Sequence, residues 1–246
     1  MSIKKRFGLL YSIAFIFMIG MNYLVGAIGT DVGTVADENQ AIIQPAGYVF
    51  SIWGLIYVLL AIWIIRLFLL NNNRSQVYEE LHYWPVANFI LNALWIVVFT
   101  QRWILASVIV IIGLLITLVV IYKKLTKMST GRFDRVPFSV YFGWGTVATI
   151  VNIVDWVKDQ GIEELIGLDE YQWTLILLVI ATIIAVFVAL AHMDWIYPLV
   201  FVWAFSGIIV ENENQLFLLT IVCAMGIVFH VLASSIVGFS NIKKAK

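Results

Sequence analysis

The sequence predicts an all-α fold, a polytopic membrane bundle of about eight transmembrane helices, and three observations carry that prediction. Of 246 residues, 62% are hydrophobic and 12% charged, at a mean hydropathy of +0.97. A soluble domain is roughly 45–50% apolar and about 25% charged. Uncharged apolar runs recur eight times, most of them near the ~20 residues that one crossing requires. The remaining charges segregate between alternate loops. This composition excludes a water-soluble globule and a disordered chain. A disulfide-stapled module is excluded too, because Cys223 is the only cysteine.

The first run, 8–28, follows Lys4-Lys5-Arg6. It is long enough to cross a bilayer and reads as an uncleaved helix rather than a signal peptide. The second, 46–70, opens behind Pro45, a residue suited to a first helical turn. The third and fourth, 84–101 and 104–122, are separated by a tight connection, and the fifth is 136–157 with Pro137 at its start. The sixth is 172–191 and the eighth 215–238. The seventh, 195–210, holds 16 residues between Asp194 and Glu211, with Pro198 in its first turn where a missing N–H costs little. A short hairpin between the sixth and seventh helices fits that length.

Orientation follows from charge. With the amino terminus inside, thirteen of the fifteen basic residues fall on inner segments, leaving Arg102 and Lys158 outside. Eleven acidic residues fall outside, and Glu79, Glu80, Asp134 and Asp194 inside. The net charge of zero thus separates into +9 inside and −9 outside, the bias that sets topology. An even number of spans with both termini cytoplasmic is expected.

No lysine, arginine, aspartate or glutamate lies in the middle of a run, which argues against a proton-coupled pump or a retinal protein. His82, His192 and His230 have no ligand spacing with one another or with Cys223. His82 and His192 read as solvated helix-end residues, and His230 as a hydrogen-bonding packing residue. Phosphate-binding glycine loops, zincin helices and nucleophile elbows are absent from the sequence, so a nucleotide-driven enzyme is not expected.

The informative residues lie on three runs. Phe50, Trp53 and Tyr57 recur at i, i+3 and i+7 and predict an aromatic stripe on the second helix. Asn88, Asn92 and Trp95 share one face of the third, and Trp144, Ala148 and Asn152 one face of the fifth. By the predicted topology Phe50, Trp53, Trp95 and Asn152 fall in the outer half, Asn92 and Ala148 near the middle, and Trp144 deeper. Aromatic faces with amide donors suit a flat apolar ligand. The outer loop 29–45, with Asp31, Asp37 and Glu38, is placed to cover such a pocket. The same residues admit a second reading, in which the asparagines bond across helix contacts at about 0.6 kcal/mol each and the tryptophans pack. Trp84, Trp103, Trp156, Trp173 and Trp195 sit at run ends, where interfacial belts account for them.

Pro45-Ala46-Gly47-Tyr48-Val49-Phe50, followed by Trp53 and Tyr57, resembles the signature of the tryptophan-rich sensory protein / translocator protein (TspO/MBR) family, which reads Pro-Pro-Gly-Trp-Val-Phe and then Trp and Tyr. Asn92-Ala93-Leu94-Trp95 resembles the Asn-x-x-Trp of its third helix. Trp144, Ala148 and Asn152 resemble the pattern of its fifth, with Pro137 about three residues farther from Trp144 than the family spacing; Tyr197-Pro198 and Trp203 make the seventh run a weaker competing match for that helix. Ala46 stands for the second proline, Tyr48 for the tryptophan, and one residue fewer separates Phe50 from Trp53. The resemblance covers roughly residues 8–157, and members usually have five helices, so the chain reads as a five-helix membrane domain, 1–157, followed by an additional three-helix membrane segment, 158–246.

The resemblance implies a ligand pocket lined by Phe50, Trp53, Asn92, Trp95, Trp144, Ala148 and Asn152. It implies planar hydrophobic ligands, tetrapyrroles and porphyrins above all, bound in a sensory or regulatory role. The alternative is a transporter or exporter accessory for a hydrophobic small molecule. No cofactor is required, no metal site or catalytic residue is expected, and the protein reads as a non-enzyme; light-dependent porphyrin breakdown has no acid–base pair in this sequence to support it. The expected partners are the ligand, the bilayer and a second copy as homodimer, with no nucleic acid. The expected location is a bacterial cytoplasmic membrane. Residues 152–158 lack the tyrosine of the family's sterol motif, whereas Leu118, Tyr122 and Lys124 fit only a loose sterol pattern at the inner end of the fourth run.

Overall fold

A computed structural model describes residues 3–28, 32–38, 40–69, 75–128, 132–213 and 215–243. Its helices are α1 (Ile3–Ile28), α2 (Val32–Glu38), α3 (Ile52–Leu69), α4 (Ser75–Leu81), α5 (Trp84–Thr100), α6 (Ile104–Lys127), α7 (Arg132–Asp159), α8 (Glu170–His192), α9 (Tyr197–Glu211) and α10 (Phe217–Lys243). A 3-10 turn at Gly47–Ser51 leads into α3, and strands β1 (Glu164–Leu165) and β2 (Leu168–Asp169) form a hairpin between α7 and α8. All eight apolar runs are helices. Six are long and apolar enough to cross a membrane, while α5 and α9 are shorter, at 17 and 15 residues. The protein is thus a polytopic, all-helical membrane protein. Asp31, Arg74, Lys244 and Lys246, which enter the loop and charge arguments, lie outside the described residues, as do the side chains of Lys4 and Arg132.

Composition explains which helices meet lipid. In α7, 72% of the apolar stretch is buried, against 22–39% in the other five long helices, and its mean hydropathy is the lowest of the six at 1.3. A helix screened from lipid by protein tolerates more threonine, asparagine and glycine than one facing acyl chains. The outward faces of α1 and α6 instead expose Ile13, Ile16, Phe17, Ile109 and Ile116, as a bilayer requires.

Prolines and caps set the ends. Pro85 and Pro198 occupy the first turns of α5 and α9. Asp169 caps α8 in a reciprocal box, accepting the Gln172 N–H at 2.8 Å while the Gln172 side chain accepts the Asp169 N–H at 3.1 Å. The α7 helix starts at Arg132 rather than 136, so Pro137 falls inside it instead of in its first turn. The hairpin turns through Ile166 and Gly167, at φ 58° and 73°. Both central residues have the positive φ that a two-residue hairpin turn demands, the usual place for Asn-Gly.

The chain forms two compact units. The first comprises Met1–Val35 and Ile52–Gly145. There α1 packs against α3, α4 and α5, and α6 against α5 and α4. Its core holds Tyr11, whose ring stacks on Trp63 at 5.7 Å and on Tyr78 at 5.8 Å, while its hydroxyl donates to the His82 carbonyl at 2.7 Å. Burial, with Asp134 close by, pushes the Tyr78 hydroxyl above its ordinary range and keeps it neutral. The second unit comprises Ala36–Ser51 and Thr146–Lys246. Its α8, α9 and α10 pack on one another, with Ala181, Ala185 and Ala189 buried along α8, the small-residue packing that lets membrane helices approach. The 3-10 turn docks on α9 through Gly207: a Cβ there would stand 2.2 Å from Val49 Cγ2 and 3.0 Å from Pro45 Cβ. Backbone and side-chain bonds fix the contact, from the Ala46 N–H to the Gly207 carbonyl at 3.1 Å and from Trp203 Nε1 to the Val49 carbonyl at 3.0 Å.

Candidate functional site

The first unit holds four of the seven predicted site residues: Trp95 and Trp144 pack on the indole of Trp53, and Asn92 hydrogen-bonds to Tyr141, which meets the same indole. Trp53, in the first turn of α3, has its ring centroid 6.0 Å from Trp95 on α5 and 6.2 Å from Trp144 on α7, the latter perpendicular at 90°. Tyr141 approaches the same indole edge-on at 5.8 Å and 75°, and Tyr57 stacks on it at 5.8 Å and 28°. Phe99, one helical turn beyond Trp95, stacks on the Trp95 ring at 5.2 Å. Offset and edge-to-face arrangements at these separations are the favourable ones for quadrupolar rings. Trp95 and Trp144 are buried, whereas Trp53 and Tyr57 are only half-buried.

A chain of hydrogen bonds runs beside the rings. The Tyr57 hydroxyl donates to Asn22 Oδ1 at 2.7 Å, Asn22 Nδ2 donates to Asn92 Oδ1 at 3.3 Å, and Asn92 Nδ2 donates to the Tyr141 hydroxyl at 2.8 Å. Asn22 Nδ2 also donates to its own helix, at the Met18 carbonyl. The string ties α3, α1, α5 and α7 together. In a site without water each of these amides would be costly if left unpaired. Asn88, on the same face of α5 as Asn92, donates instead to Thr117 Oγ1 at 2.8 Å and fastens α5 to α6.

The other three predicted residues belong to the second unit. Phe50 lies half-buried in the 3-10 turn. The α-helix proper begins only at Ile52, so the expected stripe of Phe50, Trp53 and Tyr57 reduces to Trp53 and Tyr57. Ala148 is half-buried and Asn152 buried, one and two turns beyond Trp144 on the continuous α7. Just inside the second unit, Thr146 Oγ1 shares a 2.9 Å hydrogen bond with the Tyr197 hydroxyl.

Sequence reading did not assign Asn22, Phe99 or Tyr141 to the site, and it placed Tyr57 on the aromatic stripe without naming it among the lining residues. Asn22 carried a weak signal as an amide inside the first apolar run, and Tyr141 lies one turn before Trp144. His230 differs from expectation: it is fully buried between the Phe201 and Phe205 rings, at 5.5 and 5.1 Å, and neither ring nitrogen has a hydrogen-bond partner among the described residues. Among those residues no three His, Cys, Asp or Glu side chains group so as to hold a metal ion. The site is therefore a set of aromatic faces beside a polar string, suited to stacking and hydrogen bonding.

A family model described as TSPO-like protein matches residues 8–236. The match runs through both compact units, well past the residues 8–157 on which the motif resemblance rests. No curated protein and no solved structure matches the chain.

Proposed function

Because the chain belongs to the TSPO-like family, we propose that it binds a planar hydrophobic ligand of the tetrapyrrole class at the Trp53 cluster and that occupancy serves as a sensory or regulatory signal. The observation that supports this reading is the exposure pattern within the cluster. Trp53 touches three other aromatic side chains from α5 and α7 yet stays half-buried. A flat macrocycle can stack on that indole at the expense of ring–ring contacts alone, and the amide string beside it offers polar atoms to the ligand's edge. The motif resemblance also names Phe50, Ala148 and Asn152 as ligand residues, and that assignment rests on the sequence pattern alone. Binding rather than turnover is the proposed activity, with no cofactor needed. We place the protein in a bacterial cytoplasmic membrane, both termini inside, with a second copy as partner.

The test is a titration of the protein in nanodiscs with protoporphyrin, followed by tryptophan quenching corrected for inner-filter effects. Saturable micromolar binding that weakens at least fivefold in Trp144→Phe and in Asn92→Leu supports the site. Unchanged affinity in both variants removes it. Product formed in the light would add a reaction to the binding reading.

A further inference from the structure

We propose that the second unit holds a separate binding site for a small lipophilic cation, in the cavity between the end of α7, the β1–β2 hairpin and the start of α8. The cavity is partly open and has a volume of about 750 Å³, within the range of roughly 300–1,000 Å³ typical of small-molecule sites. Ile153 and Val157 of α7, Leu165 and Leu168 of the hairpin, and Leu177 of α8 supply apolar walls. Tyr171 and Trp173 add two aromatic faces, and Trp173 is fixed by donating its Nε1–H to the Leu165 carbonyl at 2.9 Å.

The charge around this cavity decides the class of ligand. Its only basic lining residue, Lys158, donates to the Gln40 carbonyl at 2.6 Å and pairs with Glu170 at 3.3 Å. Glu170 in turn accepts the Ile42 N–H at 2.7 Å. These bonds hold the 40–42 segment against α7 and α8 and neutralise the one ammonium. Two further lining carboxylates, Glu163 and the α8 cap Asp169, are solvent-exposed, and no basic residue among the described lining balances their charge. An anionic headgroup would meet repulsion there. A cation would meet two carboxylates and two π faces, each favourable to positive charge. An apolar body is needed to fill the walls. The inference is independent of the tetrapyrrole reading, because every residue it uses belongs to the second unit and none belongs to the Trp53 cluster.

The experiment compares two probes of one shape and opposite charge, tetraphenylphosphonium and tetraphenylborate. Each is radiolabelled and titrated against the whole protein in nanodiscs of zwitterionic lipid. Saturable binding of the cation, at least tenfold tighter than that of the anion, is expected. The double variant Glu163→Gln/Asp169→Asn keeps the α8 cap, since asparagine caps as well as aspartate, and should weaken the cation at least fivefold while leaving the thermal melt unchanged. Val157→Trp, which fills the cavity, should abolish saturable binding. Equal affinity for both probes, or an unchanged cation affinity in the charge variant, would overturn the proposal. So would a co-purified phospholipid, seen by native mass spectrometry, that the cation fails to displace. If Val157→Trp does not fold, the charge variant alone decides.

Discussion

The two units of this chain concentrate polar groups in opposite ways. In the first, the polar string Tyr57–Asn22–Asn92–Tyr141 is built entirely from helix interiors, with each group paired to the next. In the second, the polar groups around Lys158 and Glu170 come from helix ends, a two-residue hairpin turn and the irregular 40–42 segment. The contrast reflects solvent. Deep in a bilayer a polar side chain must find a partner on another helix, so convergence is close and self-satisfied. At the helix ends backbone N–H and C=O groups are free to join, and charges are tolerable. Ring stacking dominates the first region, and charge the second.

The largest expected effect breaks the second unit at its backbone contact. Gly207→Leu would drive a side chain into Val49 and Pro45 and should cost about 3 kcal/mol, the upper end of overpacking costs, seen as a lowered thermal midpoint in nanodiscs. Gly113→Ala, whose Cβ would meet nothing closer than 3.7 Å, should leave the midpoint unchanged or slightly raised. Next comes the polar string. Asn92→Leu removes the acceptor of Asn22 and the donor to Tyr141, and a loss of about 1–2 kcal/mol is expected in the same assay. A loss under about 0.5 kcal/mol would show the string to be incidental to packing. Trp53→Leu forfeits several ring contacts and should destabilise by about 1–2 kcal/mol. The smallest effect is at the half-exposed pair: Lys158→Met should change stability by about 1 kcal/mol or less, and rising salt further diminishes the ionic part in the wild type.

Much of this architecture is legible in the sequence, for identifiable reasons. All eight apolar runs became helices because hydropathy and length leave a membrane segment no other backbone. Their ends were less legible, since charge terminates an apolar run without terminating a helix: α6 continues through Lys123 and Lys124 to Lys127, and α7 begins at Arg132. The short α2 and α4 have too few residues to show a period. The hairpin was hidden because Ile166 occupies a left-handed position where asparagine or aspartate would have signalled a turn. At the candidate site, helical spacing marked Trp53, Asn92, Trp95 and Trp144, and the fold packs the three indoles together with Asn92 bonded to the neighbouring Tyr141. Asn22 and Tyr141 escaped because a single polar residue on a helix has no period, and its importance comes only from its partner on another helix. The cavity beside the hairpin was invisible for the same reason as the hairpin itself.

The most direct test of the central reading is to ask which unit a porphyrin touches. A protoporphyrin carrying a diazirine, photolysed at saturating concentration in nanodiscs, labels the residues nearest its ring, and peptide mapping locates the adducts. The proposed function predicts adducts on α3, α5 and the Tyr141–Trp144 stretch of α7, competed away by unlabelled protoporphyrin. Competed adducts confined to α8, α9 and α10, with the Trp53 cluster unlabelled, would contradict it.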